Sequence, residues 1–210
     1  MSYRAFRFSS VACLLLLGMA DSSRVFAQGR AGRPPLFLRE EWKQTPTGGE
    51  HPVTVDGLAN PNLELKLYGS TSKDVQLTGS AQDDNNPIHL WTGLCTTPCA
   101  VALRDKNNFA DLTGLARMRW VTKNGTWLVG DHSDGSVADW HVSEFNLSEV
   151  RWLKLDIERV VTTGNFVDKP DLSKVDEIGF ADLIPGSGHG PGGWSDVAAI
   201  DVFAGSVKRP

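Results

Sequence analysis

Asn124-Gly125 lies between two β-rich runs, residues 115–123 and 126–130. Both residues tolerate positive φ, so the pair suits a two-residue type I′ turn, whose twist matches that of the flanking strands. The stretch predicts a β-hairpin. Before the turn, Ala116, Met118 and Trp120 alternate with Arg117, Arg119 and Val121. That period of two gives one buried face and one wet, basic face.

The rest of the chain repeats this grammar. Leu63, Leu65 and Leu67 alternate with Glu64, Lys66 and Tyr68, and short β-rich runs follow at 75–79, 88–93 and 100–105. Residues 148–161 carry Leu153, Leu155 and Ile157 on one face and Trp152, Lys154 and Asp156 on the other. Val160 and Val161 favour strand over helix there. Further strands are predicted at 175–183 and within 194–207, with a turn or single helical turn at 170–175. Polar or glycine-rich loops separate them at 83–87, 131–140 and 185–193. There is no internal repeat and no long amphipathic helix. Many short strands between turn signals predict an all-β fold, an antiparallel β-sandwich or barrel.

The N-terminus reads as a secretory signal. Arg4 and Arg7 precede a short apolar run, residues 11–20, and Val25-Phe26-Ala27 offers a cleavage site before Gln28. The expected organisation is residues 1–27 as signal peptide, 28–61 as tether and docking segment, and 62–207 as one β-sandwich domain. In the middle segment Phe37 and Trp42 are expected to dock on the domain surface. The expected address is secreted or periplasmic. The apolar run is too short to span a bilayer comfortably, and no second long one follows. A formal net charge of −4, more negative once three leader arginines and one aspartate are removed, argues against nucleic acid, which calls for a basic stripe. The chain is expected to be a monomer.

Beyond the leader, two cysteines remain, Cys95 and Cys99. An exported chain meets oxidising conditions, so a disulfide across this short loop is expected. The alternative, a metal half-site, lacks a matching second half. Gly188, Gly190 and Gly193 satisfy G-x-G-x-x-G but lie between strands and open no helix, so they make no dinucleotide fingerprint. P-loop, H-E-x-x-H and G-x-S-x-G patterns are absent from the sequence. Residues 131–141 do not fit an EF-hand frame.

The order of several segments carries a resemblance. Asp111-Leu112-Thr113-Gly114 precedes a strand. Residues 150–156 follow, then Asp171-Leu172-Ser173-Lys174-Val175 leading into Glu177-Ile178-Gly179-Phe180, and last Ile200-Asp201-Val202. This order resembles the galactose-binding-like jelly rolls, among them certain carbohydrate-binding modules and the complex I intermediate-associated protein 30 family. It is also similar to secreted bacterial proteins of unassigned role that open with a segment like Phe37 to Trp42. The resemblance implies a jelly-roll sandwich and, by analogy, carbohydrate contact. It also implies a structural Ca2+ near the terminal strands, with Asp201 and Glu64 as candidate ligands. No other cofactor is expected.

Seven tryptophans provide the candidate ligand surface. A sugar's C–H face stacks on an aromatic ring, although aromatic side chains also fill sandwich cores. Trp120 and Trp127 read as core. Trp140 and Trp194 border polar or glycine-rich loops, and Trp152 shares a face with Lys154 and Asp156, so these three are the candidates. Arg117 and Arg119 on the wet hairpin face, with His132 and His189 in the loops, complete the expected ligand-binding set. The preferred expectation is a non-catalytic sandwich binding a polysaccharide or another extracellular ligand. Its alternatives are a structural or assembly protein that meets a cell-envelope component, and a hydrolase or lyase using the acidic and histidine-bearing loops around Asp131–Glu144 and His189.

Overall fold

The computed structural model describes residues 32–45, 48–124, 139–183 and 194–210, with residues 119–124 and 163 followed by their backbone alone. Among these residues the chain forms fourteen strands: β1 (Leu36–Glu40), β2 (His51–Pro52), β3 (Leu63–Tyr68), β4 (Gln76–Thr78), β5 (His89–Trp91), β6 (Cys99–Asp105), β7 (Asn108–Asp111), β8 (Arg117–Asn124), β9 (His141–Asn146), β10 (Trp152–Asp156), β11 (Val161–Val167), β12 (Ile178–Asp182), β13 (Ser195–Phe203) and β14 (Gly205–Lys208). The helical segments described are single 3-10 turns of three residues. The expected all-β class is therefore what forms.

The larger sheet runs β2-β4-β5-β13-β8-β9, with β1 also on β13. The smaller runs β12-β6-β3, and β10–β11 and β14–β7 are two-stranded ribbons. Every pairing is antiparallel. β13 is the spine. β8 pairs along one of its edges, while β5 and then β1 share the other. Leu38, Leu77, Leu90, Ile200 and Val202 from the larger sheet join Leu63, Val101, Leu103 and Phe180 from the smaller in one core. Two sheets burying alternate residues against each other make a sandwich. Each fully buried leucine or isoleucine contributes about 1.5–3 kcal/mol.

Three sequence expectations change. First, β8 is hydrogen-bonded on both edges, to β13 and to β9. Val142 and its neighbours on β9 are its described partners on the second edge; Gly125 and residues 126–130 of the expected hairpin lie outside the described residues. Second, the segment expected to dock on the surface contributes to the compact unit, which spans Gly32–Pro210. β1 lies in the sheet, and Trp42 is buried in the core instead of resting on the surface. The cause is Glu40, a charge that reads as surface but is fully buried. Its carboxylate accepts the backbone N–H groups of Trp42 at 2.8 Å, Ala59 at 2.7 Å and Asn60 at 3.1 Å. It thereby holds the segment between β1 and β3 against the domain. Third, residues 148–161 are not one strand: β10 ends at Asp156, and the chain turns through a buried Val160 at φ 53° into β11.

Candidate functional site

Leu90 of β5 and Val197 of β13 face each other in register, and both enter the core. Side chains alternate along a strand, so His89, Trp91 and Asp196 project from the opposite, outer face of the larger sheet. His89 and Asp196 are both buried there. His89 Nε2 lies 3.2 Å from Asp196 Oδ1, and His89 Nδ1 lies 2.6 Å from the Pro87 carbonyl. Both ring nitrogens therefore lie against oxygen atoms of the protein itself.

Two tryptophans close over this pair. Trp194 donates its indole N–H to Asp196 Oδ2 at 3.2 Å and leaves 42% of its surface exposed. Trp140 packs against His89 edge to face, with ring centroids 5.0 Å apart. Its indole N–H donates to the Asn85 carbonyl at 3.1 Å. That carbonyl is placed by a tight loop. Ser80 N–H donates to Asn86 O at 2.9 Å, and Asn85 N–H donates to the Asp83 carboxylate at 2.9 Å. Gly79 opens the loop at φ 88°, where a Cβ would fall 2.0 Å from Pro87 O, so only glycine fits. Asp83, Asp84 and Asn86 in the same loop, and Asp139 next to Trp140 in the chain, are exposed.

Buried contacts fix the site from behind. Thr92, just past β5, donates its hydroxyl to Asp182 of β12 at 2.7 Å and accepts the Ser195 N–H at 3.0 Å. This chain ties the start of β13 to the smaller sheet. The loop from β5 to β6 also carries Cys95 and Cys99, which are fully buried and joined as a disulfide with Cα atoms 6.5 Å apart. Gly93 lies so close to Trp91 that a Cβ there would meet the indole at 2.2 Å.

The fold thus gathers two of the predicted tryptophans, Trp140 and Trp194, and separates the others. Trp152 packs beside the core and lines an apolar cavity. Arg117 sits at the far end of β8, where its guanidinium bonds Glu144 at 3.2 Å. Arg119 lies on the same strand, level with Asp201 and Glu144 in register. His132 and His189, with Asp131 and Asp134, lie outside the described residues.

The two suggested calcium ligands do not come together. Asp201 is on β13 and bonds Arg39 of β1 through both oxygens, at 2.7 and 2.9 Å. Glu64 is on β3 in the other sheet, where Lys66 and Arg104 hold its carboxyl below the ordinary range. Among the described residues, no group of three or more His, Cys, Asp and Glu side chains is arranged to hold a metal ion.

His89, Trp91, Asn85 and Asp196 escaped sequence reasoning. The available signals were the alternation of His89 with Trp91 in one strand and of Trp194 with Asp196 in another; nothing local indicates that the two strands pair.

The site belongs to an all-β, sandwich-like protein with an outer-face aromatic surface. No protein-family model, curated protein or solved structure matches the chain.

Proposed function

We infer that the protein is a non-catalytic binding module for a neutral glycan, exported from the cell that makes it. The observation that carries this reading is that Trp140 and Trp194, from separate parts of the chain, are both anchored by their indole N–H groups around one buried His–Asp pair. Anchoring the edge of an indole fixes the plane of its face, and a fixed face loses little entropy when a sugar ring stacks on it. The exposed Asp83, Asp84 and Asp139 carboxylates and the Asn86 amide offer partners for hydroxyl groups and repel anions, which favours an uncharged glycan over a polyanionic one. Both ring nitrogens of His89 are engaged within the protein, with the Pro87 carbonyl and with Asp196 Oδ1, which supports binding over hydrolysis at this site. The galactose-binding-like resemblance and the signal-like N-terminus point the same way.

Retention of the protein on insoluble neutral and acidic polysaccharides tests the reading. Retention by a neutral polymer is expected, with its loss in Trp140→Ala and Trp194→Ala. Retention only by acidic polymers, or equal retention of both variants, would sink it.

One observation favours a second reading, an envelope component acting through its surface. Phe166 and Val167 at one end of β11 are 46% and 39% exposed, and Val161 at its other end is 42% exposed. Concentration-dependent self-association or capture by envelope fractions, abolished by Phe166→Ser, would support it.

A further inference from the structure

Away from the tryptophan pair, a cavity of about 340 Å³ opens between β10, β12 and the core. Phe145 and Met118 border it, at the end of β8 and β9 remote from Trp140. Its size falls within the range of about 300–1,000 Å³ common to small-molecule sites. The lining is apolar, with Leu155, Ile157 and Phe180 among its walls, and among the described residues only Glu177 brings a charge to it. That charge is engaged, since Tyr68 Oη donates to Glu177 at 2.7 Å.

A second cavity, of about 290 Å³, shares the wall formed by Leu147, Val150, Trp152 and Leu172. Its character is different. Ser148, Arg151 and Asp168 bring hydrogen-bonding groups of both signs. Arg151 stacks over the Phe166 ring at 3.9 Å, which places a cation at the mouth, opposite in charge to Asp168. An apolar chamber and a polar one that adjoin along this shared wall match a molecule with two unlike ends.

We propose that the paired cavities bind an amphiphile with a single apolar chain and an uncharged, hydroxyl-bearing head, the chain in the larger chamber and the head in the smaller. Apolar area removed from water drives the chain inward, at about 25 cal/mol per Å². Mixed charges at the mouth offer donors and acceptors to hydroxyls. In the smaller chamber an anionic head faces the like charge of Asp168 and a cationic one that of Arg151, so both bind more weakly than an uncharged head. This site is separate from the tryptophan pair and does not depend on the glycan reading.

Isothermal titration of the full chain with octyl glucoside below its aggregation concentration tests the proposal. Octanoate, octylamine and free glucose serve as comparisons. Saturable one-to-one binding of octyl glucoside is expected, with the charged analogues weaker by about tenfold or more. Ala102→Phe, which fills the chamber, is expected to weaken octyl glucoside by at least about tenfold. If that variant fails to fold, Ile157→Lys at the 38% exposed rim position provides the same reading. The Trp140→Ala/Trp194→Ala double variant is expected to bind octyl glucoside as the parent does. Absence of saturable binding, octanoate binding as tightly as the glucoside, full affinity in a folded rim or chamber variant, or loss in the double tryptophan variant would each overturn the proposal.

Discussion

Asp196 uses both carboxylate oxygens on the outer face of the larger sheet: Oδ1 meets His89 Nε2 at 3.2 Å, and Oδ2 accepts the Trp194 indole N–H at 3.2 Å. One buried residue therefore positions a histidine beneath Trp140 and orients Trp194 directly. Removing it takes the partner from a buried histidine and the acceptor from the indole N–H of a partly exposed tryptophan. Asp196→Ala is expected to lower unfolding free energy by about 2–4 kcal/mol, with Asp196→Asn losing less because one acceptor oxygen remains. Denaturant melts of the three proteins check this, and a variant within a few tenths of a kcal/mol of the parent would contradict it.

Gly79 affects Trp140 at a distance. A Cβ at residue 79 would overlap Pro87 O, so Gly79→Ala must displace the loop whose Asn85 carbonyl anchors the Trp140 indole. The expected result is a loss of about 1–3 kcal/mol in stability together with a shift in tryptophan emission. Unchanged emission would mean that the loop does not set the ring.

Glu40 adds a pH dependence. Burial pushes its carboxyl above the ordinary value of 4.5, outweighing the N–H groups of Ala59, Asn60 and Trp42 that favour the anion. The folded protein then holds this proton more tightly than the unfolded chain. The contribution is fully present below the unfolded value and is lost as pH rises through the folded one. Glu40→Gln removes that pH-dependent loss but sets an amide against the Asn60 N–H, at a cost of about 1–3 kcal/mol. Chemical melts at pH 4 and pH 7 should show the parent losing more stability between the two than the variant; equal slopes would contradict the assignment.

The Cys95–Cys99 bridge closes a short loop between the sheets. Constraining so few residues in the unfolded chain stabilises by about 2 kcal/mol. Cys95→Ser/Cys99→Ser should therefore melt earlier but still fold, with the β spectrum in circular dichroism retained. Failure to fold would give the bridge a larger role than loop closure.

Much of the sheet framework was legible. Leu63–Tyr68 alternates cleanly because one face of β3 meets the core, and the runs at β4, β5 and β6 were bounded by turn residues. β1 was missed because Glu40 ends it with a charge that only tertiary N–H groups make tolerable. β7 and β9 were missed because they bury little: the alternate residues of β9, His141, Ser143 and Phe145, are only half-buried. For the candidate site, adjacency to polar loops draws attention to Trp140 and Trp194, which the fold places around the same His89–Asp196 pair. It could not reveal His89 and Asp196, whose meeting depends on the pairing of β5 with β13. The same reasoning grouped Trp152 with the other two, but β10 lies in its own ribbon, and the ring faces a cavity.

Glycan binding at this site requires that Trp140 and Trp194 together receive a sugar. Titration of the protein with a panel of neutral and acidic oligosaccharides, read by tryptophan fluorescence and calorimetry, tests this most directly. A saturable response to one neutral class is predicted, reduced by at least about tenfold in Trp140→Ala and in Trp194→Ala, with melting temperatures held near the parent's. Silence toward every neutral sugar, or undiminished affinity in the double variant, would contradict it.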